Sequence, residues 1–227
     1  MKRLYFTWML MVIAAASCSK IDNYGEPDGN IYGTLTDKIT QKPLQSQQPN
    51  GFTIQLFEEG KAGNVPILVP GKRDGTFENA FIFQSTYRVV ATEGAFFPVE
   101  AQTINVGART EVNFEVMPFL AITNATVSVA SGKVTASYKI AREQADGKIL
   151  ERRLLVSKIP AVNSVVFDFQ KQTDISGMDD EDILSDSFTD EIDGLTSGET
   201  YYVRIAARTR NTLNKYNYSE AFTVTVP

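Results

Sequence analysis

Apolar and polar residues alternate one by one over long stretches of this chain, the two-residue period of a strand with one face buried and the other in water. Val112, Phe114 and Val116 alternate with Glu111, Asn113 and Glu115. Phe52, Ile54 and Leu56 alternate with Thr53 and Gln55, and Ile31, Gly33 and Leu35 with Tyr32, Thr34 and Thr36. Further strands fit Thr86–Ala91 and Val99–Val106. Turn chemistry separates them: Gln41-Lys42-Pro43, Pro49-Asn50-Gly51, Asp74-Gly75 and Asn105-Val106-Gly107. The same period returns after Pro118, which cannot donate to a strand ladder and so marks a boundary. Val134, Ala136, Tyr138 and Ile140 form one set, Val165, Phe167 and Phe169 another. Tyr201, Val203, Ile205 and Ala207 form a third, and Phe222, Val224 and Val226 close the chain. Asp146-Gly147, between Arg142 and Ile149, reads as a hairpin tip. Short strands at this spacing, without an amphipathic helical stripe, predict an all-β protein: two antiparallel β-sandwiches in tandem, over residues 26–118 and 119–227.

The first residues obey a different pattern. Lys2 and Arg3 precede an apolar run from Leu4 to Ala16, interrupted by Thr7, and small residues lead to Cys18. The run is too short to span a bilayer as a helix and has the layout of a secretory signal peptide over residues 1–17. Ala15-Ala16-Ser17-Cys18 resembles a bacterial lipobox, in which cleavage precedes a cysteine that carries a diacylglycerol; Ala15 stands where leucine is preferred. Cys18 is the only cysteine in the chain, and a free thiol is otherwise uncommon in an exported protein. Residues 18–25, at the head of a polar, acidic stretch, then form a lipid-anchored tether.

Composition removes much chemistry. The chain of 227 residues has no histidine, so no Ser-His or Cys-His pair and no imidazole metal ligand is available. A single cysteine allows neither an intrachain disulfide nor a cysteine-rich zinc site. Net charge is −5, and loss of Lys2 and Arg3 with the leader makes the mature chain two units more negative, which disfavours nucleic acid as a partner. No phosphate loop or nucleophile elbow occurs. Carboxylates are plentiful enough for a glycosidase pair, but two sandwiches of about a hundred residues offer no obvious deep cleft, and the expectation is a non-enzyme with no cofactor, metal or catalytic residue.

Three constellations are candidates for binding. Tyr216 and Tyr218, in a loop before the last strand, offer rings for stacking on sugars, with Arg210 and Lys215 as polar contacts; Phe96-Phe97 is a second aromatic pair. Their structural alternative is packing at the ends of the sandwich. Residues 168–193 are rich in acids but lack the spacing of an EF-hand, and Asp174–Asp186 reads as a mobile acidic loop rather than a calcium site. Arg204 and Arg208 are placed on the outward face of one strand, paired with nearby acids.

Motif order adds a resemblance. Gly29-Asn30-Ile31-Tyr32-Gly33, Thr36–Leu44, Phe52–Leu56, the Arg73-Asp74-Gly75-Thr76-Phe77 turn, Tyr87–Ala91 and Val112–Val116 together resemble a transthyretin-like, carboxypeptidase regulatory-like sandwich. Leu195-Thr196-Ser197-Gly198-Glu199-Thr200-Tyr201 resembles the tyrosine corner of fibronectin type III domains, with Ser197 in place of proline and Tyr201 at the corner. With the lipobox and the Lys20–Tyr24 tether, the whole resembles a family of Bacteroidota lipoproteins of unknown function found beside Sus-type glycan-uptake components. The resemblance implies an accessory lipoprotein of the outer membrane, at the cell surface or the periplasmic face, with glycan or transporter components as partners. The alternative is a structural surface component of fimbrial or adhesion type.

Overall fold

The computed structural model describes residues 25–61, 63, 65–145 and 147–227. The expected leader and Cys18 lie outside the described residues. Two β-sandwiches follow one another. In the first, β1 (Gly29–Asp37) lies between β4 (Thr76–Ile82) and the pair β7 (Thr110–Glu111) and β8 (Phe114–Val116). The facing sheet has the order β3 (Ile67–Pro70), β2 (Thr53–Glu58), β5 (Ser85–Thr92), β6 (Gln102–Val106). Ile31, Leu35, Ile54, Leu56, Phe77 and Val89 fill the space between them.

Most ladders are antiparallel, but β7 and β8 run parallel to β1. The Val112–Val116 run, expected as one strand, is broken after Glu111 because the Val112 carbonyl dips onto β1. A Cβ on Gly33 would lie 1.8 Å from that oxygen, so only glycine admits the approach. The Val112 N–H bonds Tyr32 O at 2.9 Å, and the Thr34 N–H bonds Asn113 Oδ1 at 2.9 Å.

In the second sandwich β9 (Ala121–Ala130), β10 (Lys133–Ala141) and β13 (Phe188–Ile192) form one sheet. The other joins β12 (Phe169–Asp174), β11 (Ile149–Ser157) and β14 (Thr200–Thr209), with β15 (Asn217–Tyr218) and β16 (Phe222–Thr225) both on β14. β10 and β11 pair with other strands, so the turn before Ile149 crosses between sheets and is not the expected hairpin tip. The Val165–Phe169 alternation also fails as a strand: the chain bends there, and β12 begins at Phe169. Tyr201 is buried, and its hydroxyl accepts the Thr196 N–H at 3.2 Å, which is tyrosine-corner geometry.

The acidic stretch departs most from expectation. Asp180–Ser185 forms a short helix, α1, and Ile175 and Ile183 are buried in the second core, so apolar anchors hold the segment that reads as a mobile loop. Its acids are dispersed by the fold: Asp180 receives Arg142 at 3.0 Å and the Ile149 N–H at 3.2 Å, and Asp168 receives the Lys158 N–H at 2.7 Å.

Candidate functional site

The two sandwiches meet along a polar seam. Each strap across it starts from a local feature of the chain. At the linker, Phe97 N–H bonds Met117 O at 2.9 Å and Phe119 N–H bonds Ala95 O at 3.1 Å, while the Phe97 and Phe119 rings meet edge-on at 5.1 Å. Phe96 is buried against the first core. This aromatic pair therefore fastens the linker and offers no open platform. Asn217 ties three points together: its Oδ1 accepts the Leu120 N–H at 3.1 Å and its Nδ2 donates to Ala95 O at 2.8 Å.

Arg204 is the centre of the seam. It is 2% exposed, and among the described residues no carboxylate bonds it. Its guanidinium donates to Ser219 O at 2.9 Å, Ser46 O at 2.8 Å, Val162 O at 3.4 Å and Gln45 Oε1 at 3.4 Å, and lies 4.4 Å over the Tyr218 ring. Burial pushes it down to about 10, which leaves it a cation at neutral pH. The outward face expected for Arg204 is thus covered by the first domain and by the turn that carries Val162.

The tyrosines proposed as a stacking platform lie in the same packing. Tyr218 is buried, and its hydroxyl bonds Ser164 Oγ at 2.8 Å. Tyr216 is buried, its hydroxyl donates to Glu151, and the guanidinium groups of Arg153 and Arg208 lie 4.9 and 5.3 Å from its ring centre. Lys215 reaches the Asn50 carbonyl of the first domain, and burial lowers its pKa. Of the four candidates only Arg210 is exposed. A sugar needs an open ring face, and neither tyrosine has one. The loop aromatics are packing residues, because β15 folds them back against β14.

Beside the seam is a cleft of about 410 Å³, within the size range of small-ligand sites. One wall is the turn after β1. There the Asp37 carboxylate accepts the N–H groups of Ile39 at 2.7 Å and Thr40 at 3.2 Å, which fixes the turn and presents Lys42 and Pro43. Burial raises the Asp37 pKa, and the two N–H bonds oppose it. The other wall is the start of β9 with Ser219, Glu220 and Phe222. Lys42 Nζ and Glu220 meet across the mouth at 3.2 Å, both more than half exposed, a pair that contributes about 0–1 kcal/mol and opens readily. The cleft therefore offers an ammonium, carboxylates and amides beside apolar surface. Sequence reasoning missed it because its walls lie far apart along the chain, at positions 37–45 and 120–222; the only local signal was the Asp37-Lys38-Ile39-Thr40 turn.

Two linked β-sandwiches with a polar cleft at their junction define a two-domain, all-β protein. The chain belongs to the DUF3823 family: residues 29–117 match the N-terminal domain of this "protein of unknown function", and residues 120–222 match its C-terminal domain of unknown function. A DUF3823 family protein from Bacteroides uniformis is 25% identical with a TM-score of 0.78, over 88% of this chain and 100% of that one. One from Parabacteroides merdae is 24% identical with a TM-score of 0.76, over the same shares of 88% and 100%. A second Bacteroides uniformis structure, provisionally described as a carbohydrate binding protein, is 22% identical with a TM-score of 0.74, again over 88% and 100%. No curated protein matches the chain.

Proposed function

We propose that this protein is a non-catalytic accessory lipoprotein of an outer-membrane glycan-uptake system, acylated at Cys18, which binds carbohydrate in the cleft between its domains. The observation that carries the reading is the cleft itself. It sets Lys42, Glu220 and Asp37 beside Pro43 and Phe222, the mixture of hydrogen-bonding groups and apolar surface that hydroxyl-rich, C–H-faced rings require. A description of one structural relative in terms of carbohydrate binding agrees with it. The absence of histidine from the sequence and the resemblance of both domains to non-catalytic modules support binding without transformation.

The test is a polysaccharide panel titrated against the purified protein, with Lys42→Ala/Glu220→Ala alongside. A shallow site of this kind should bind at about −5 kcal/mol, a dissociation constant near ~0.1 mM. The double variant should weaken binding about tenfold with little change in melting temperature, since both side chains are exposed. Binding that survives the double variant unchanged moves the site elsewhere. If no polysaccharide binds but the protein co-purifies with transport components, the scaffolding form of the proposal holds and direct binding fails. Release of reducing sugars by the purified protein refutes both.

A further inference from the structure

The end of the first sandwich opposite the seam carries apolar side chains that no described residue covers. β1 runs from this end to the seam, and its nine residues set the two about 25–30 Å apart. Phe81 is 82% exposed and Phe83 39%, at the turn from β4 to β5. Val65, 84% exposed, lies in the β2–β3 connection that ends beside the same turn, since Glu59 N–H bonds Thr86 O at 2.9 Å and Lys61 Nζ lies 5.9 Å from the Phe83 ring centre.

The amino-terminal segment enters the fold at this same end. Gly29 pairs with Ile82, and Gln84 Nε2 donates to Asp28 at 2.9 Å. Nine residues separate Cys18 from Asp28, and the ten steps between them span at most about 35 Å. An acyl chain on Cys18 therefore holds this end, where the chain enters the fold, within about 35 Å of the membrane, and the cleft lies at the other end of β1.

We infer that Phe81 and Phe83, with Val65, insert into the interfacial layer of the bilayer that holds the lipid anchor. The inference rests on the reading of Cys18 as acylated. The surrounding chemistry selects lipid over sugar. Polar neighbours of the tip are already engaged with one another: Lys61 with Glu58 at 2.7 Å, Asn30 with Glu78 at 3.3 Å, and Asn79 Oδ1 with the Phe81 N–H at 2.9 Å. Phe81 and Val65 face outward as hydrocarbon, with Glu59, Lys61 and Gln84 exposed around them. Contact of this kind is driven by apolar burial, so it needs no anionic lipid and is insensitive to salt. The diacylglycerol supplies two acyl chains and holds the protein at the bilayer, and the apolar contact adds orientation, turning the cleft away from the surface.

The one tryptophan of the sequence, Trp8, belongs to the leader, which allows a clean optical test. Acylated full-length protein carrying Phe81→Trp is reconstituted into zwitterionic vesicles containing lipids brominated on their acyl chains. Leu213→Trp, an exposed site in the second domain, is the control. Mass spectrometry of the reconstituted protein reports the acyl group, and melting temperature reports folding. The expected result is a blue-shifted emission quenched at least about twofold at position 81 at both low and high salt, with none at position 213. Acylated protein in which the indole at position 81 is unquenched overturns the inference and leaves the lipoprotein reading standing. Protein without an acyl group on Cys18 overturns both. Sedimentation showing a dimer abolished by Phe81→Ser assigns the patch to a second copy and overturns the lipid inference, as does loss of polysaccharide binding in the same folded variant.

Discussion

At the scale of single residues, charge in this protein is used for construction. Glu151 is nearly buried on β11, where it receives Arg208 Nε at 3.1 Å, Arg153 Nη2 at 3.3 Å, the Tyr216 hydroxyl and Gln172. Burial alone would raise its pKa, but the Tyr216 hydrogen bond and the two guanidinium charges outweigh it, and the net shift is downward from 4.5. A carboxylate held below its unfolded value contributes stability that is present in full above about 4.5 and is lost as pH falls through the lower folded value. Glu151→Gln keeps the shape but leaves two arginines without their anion. We expect it to cost about 2 kcal/mol at pH 7 and the difference from the parent to shrink as the pH is lowered through that window, read from melting temperature against pH. A difference that stays constant with pH would assign the loss to packing instead. Asp190 on β13 is a second such anchor, fully buried and bonded by Arg152 and, at 2.7 Å, by the Tyr138 hydroxyl.

At the scale of elements, α1 shows how an acidic sequence becomes part of a core. Three acids, Asp180, Glu181 and Asp182, occupy its first turn, where the helix dipole favours negative charge. A helix of six residues has little stability of its own, so its order comes from the side chains it buries. Ile183, with no exposed surface, lies in the second core with Ile175. Ile183→Ala should cost about 2–4 kcal/mol and make Asp174–Asp186 the first site of limited proteolysis, whereas the parent should resist cleavage there. An equally resistant variant would mean that the Asp180 contacts to Arg142 and Ile149, not the apolar anchor, hold the helix.

At the scale of the whole molecule, the seam decides whether two domains move as one. Arg204 donates to carbonyls from both domains, so each of those acceptors depends on one side chain. Arg204→Ala leaves buried carbonyls without donors and should cost about 3 kcal/mol. Because the loss falls on the junction, the variant should melt in two calorimetric steps where the parent melts in one, and the carbohydrate binding proposed for the cleft should weaken with it. A single transition, shifted but not split, would place the coupling in the linker straps around Phe97 and Asn217. The two ends of the first domain then have separate tasks: the seam end shapes the cleft, and the far end carries the exposed phenylalanines.

Local pattern was enough to establish the class of fold and many of its strands. Alternation at Ile31–Leu35, Phe52–Leu56, Val134–Ile140 and Tyr201–Ala207 is imposed by a sheet with one dry face, and these stretches are strands. The Tyr201 corner was legible for the same reason, since its turn and its tyrosine are neighbours in sequence. Tertiary structure alone decided which exposed-looking groups are exposed. Tyr216 and Tyr218 read as loop aromatics and are buried, because β15 pairs with β14 and Ser164 and Glu151 supply partners for their hydroxyls. Arg204 reads as an outward cation and is buried, because the carbonyl of Ser46, 158 positions away, comes to meet it. Phe81 and Phe83 stand in a run of apolar residues; by alternation Phe81 shares the face of buried Phe77, but the register shift opposite Gly29–Ile31 brings Ile82 inward in its place and leaves Phe81 exposed. Period and turn chemistry are properties of adjacent residues and survive in the sequence. A cleft, a seam or an uncovered face depends on which distant segments meet, and that is settled only when the chain has folded.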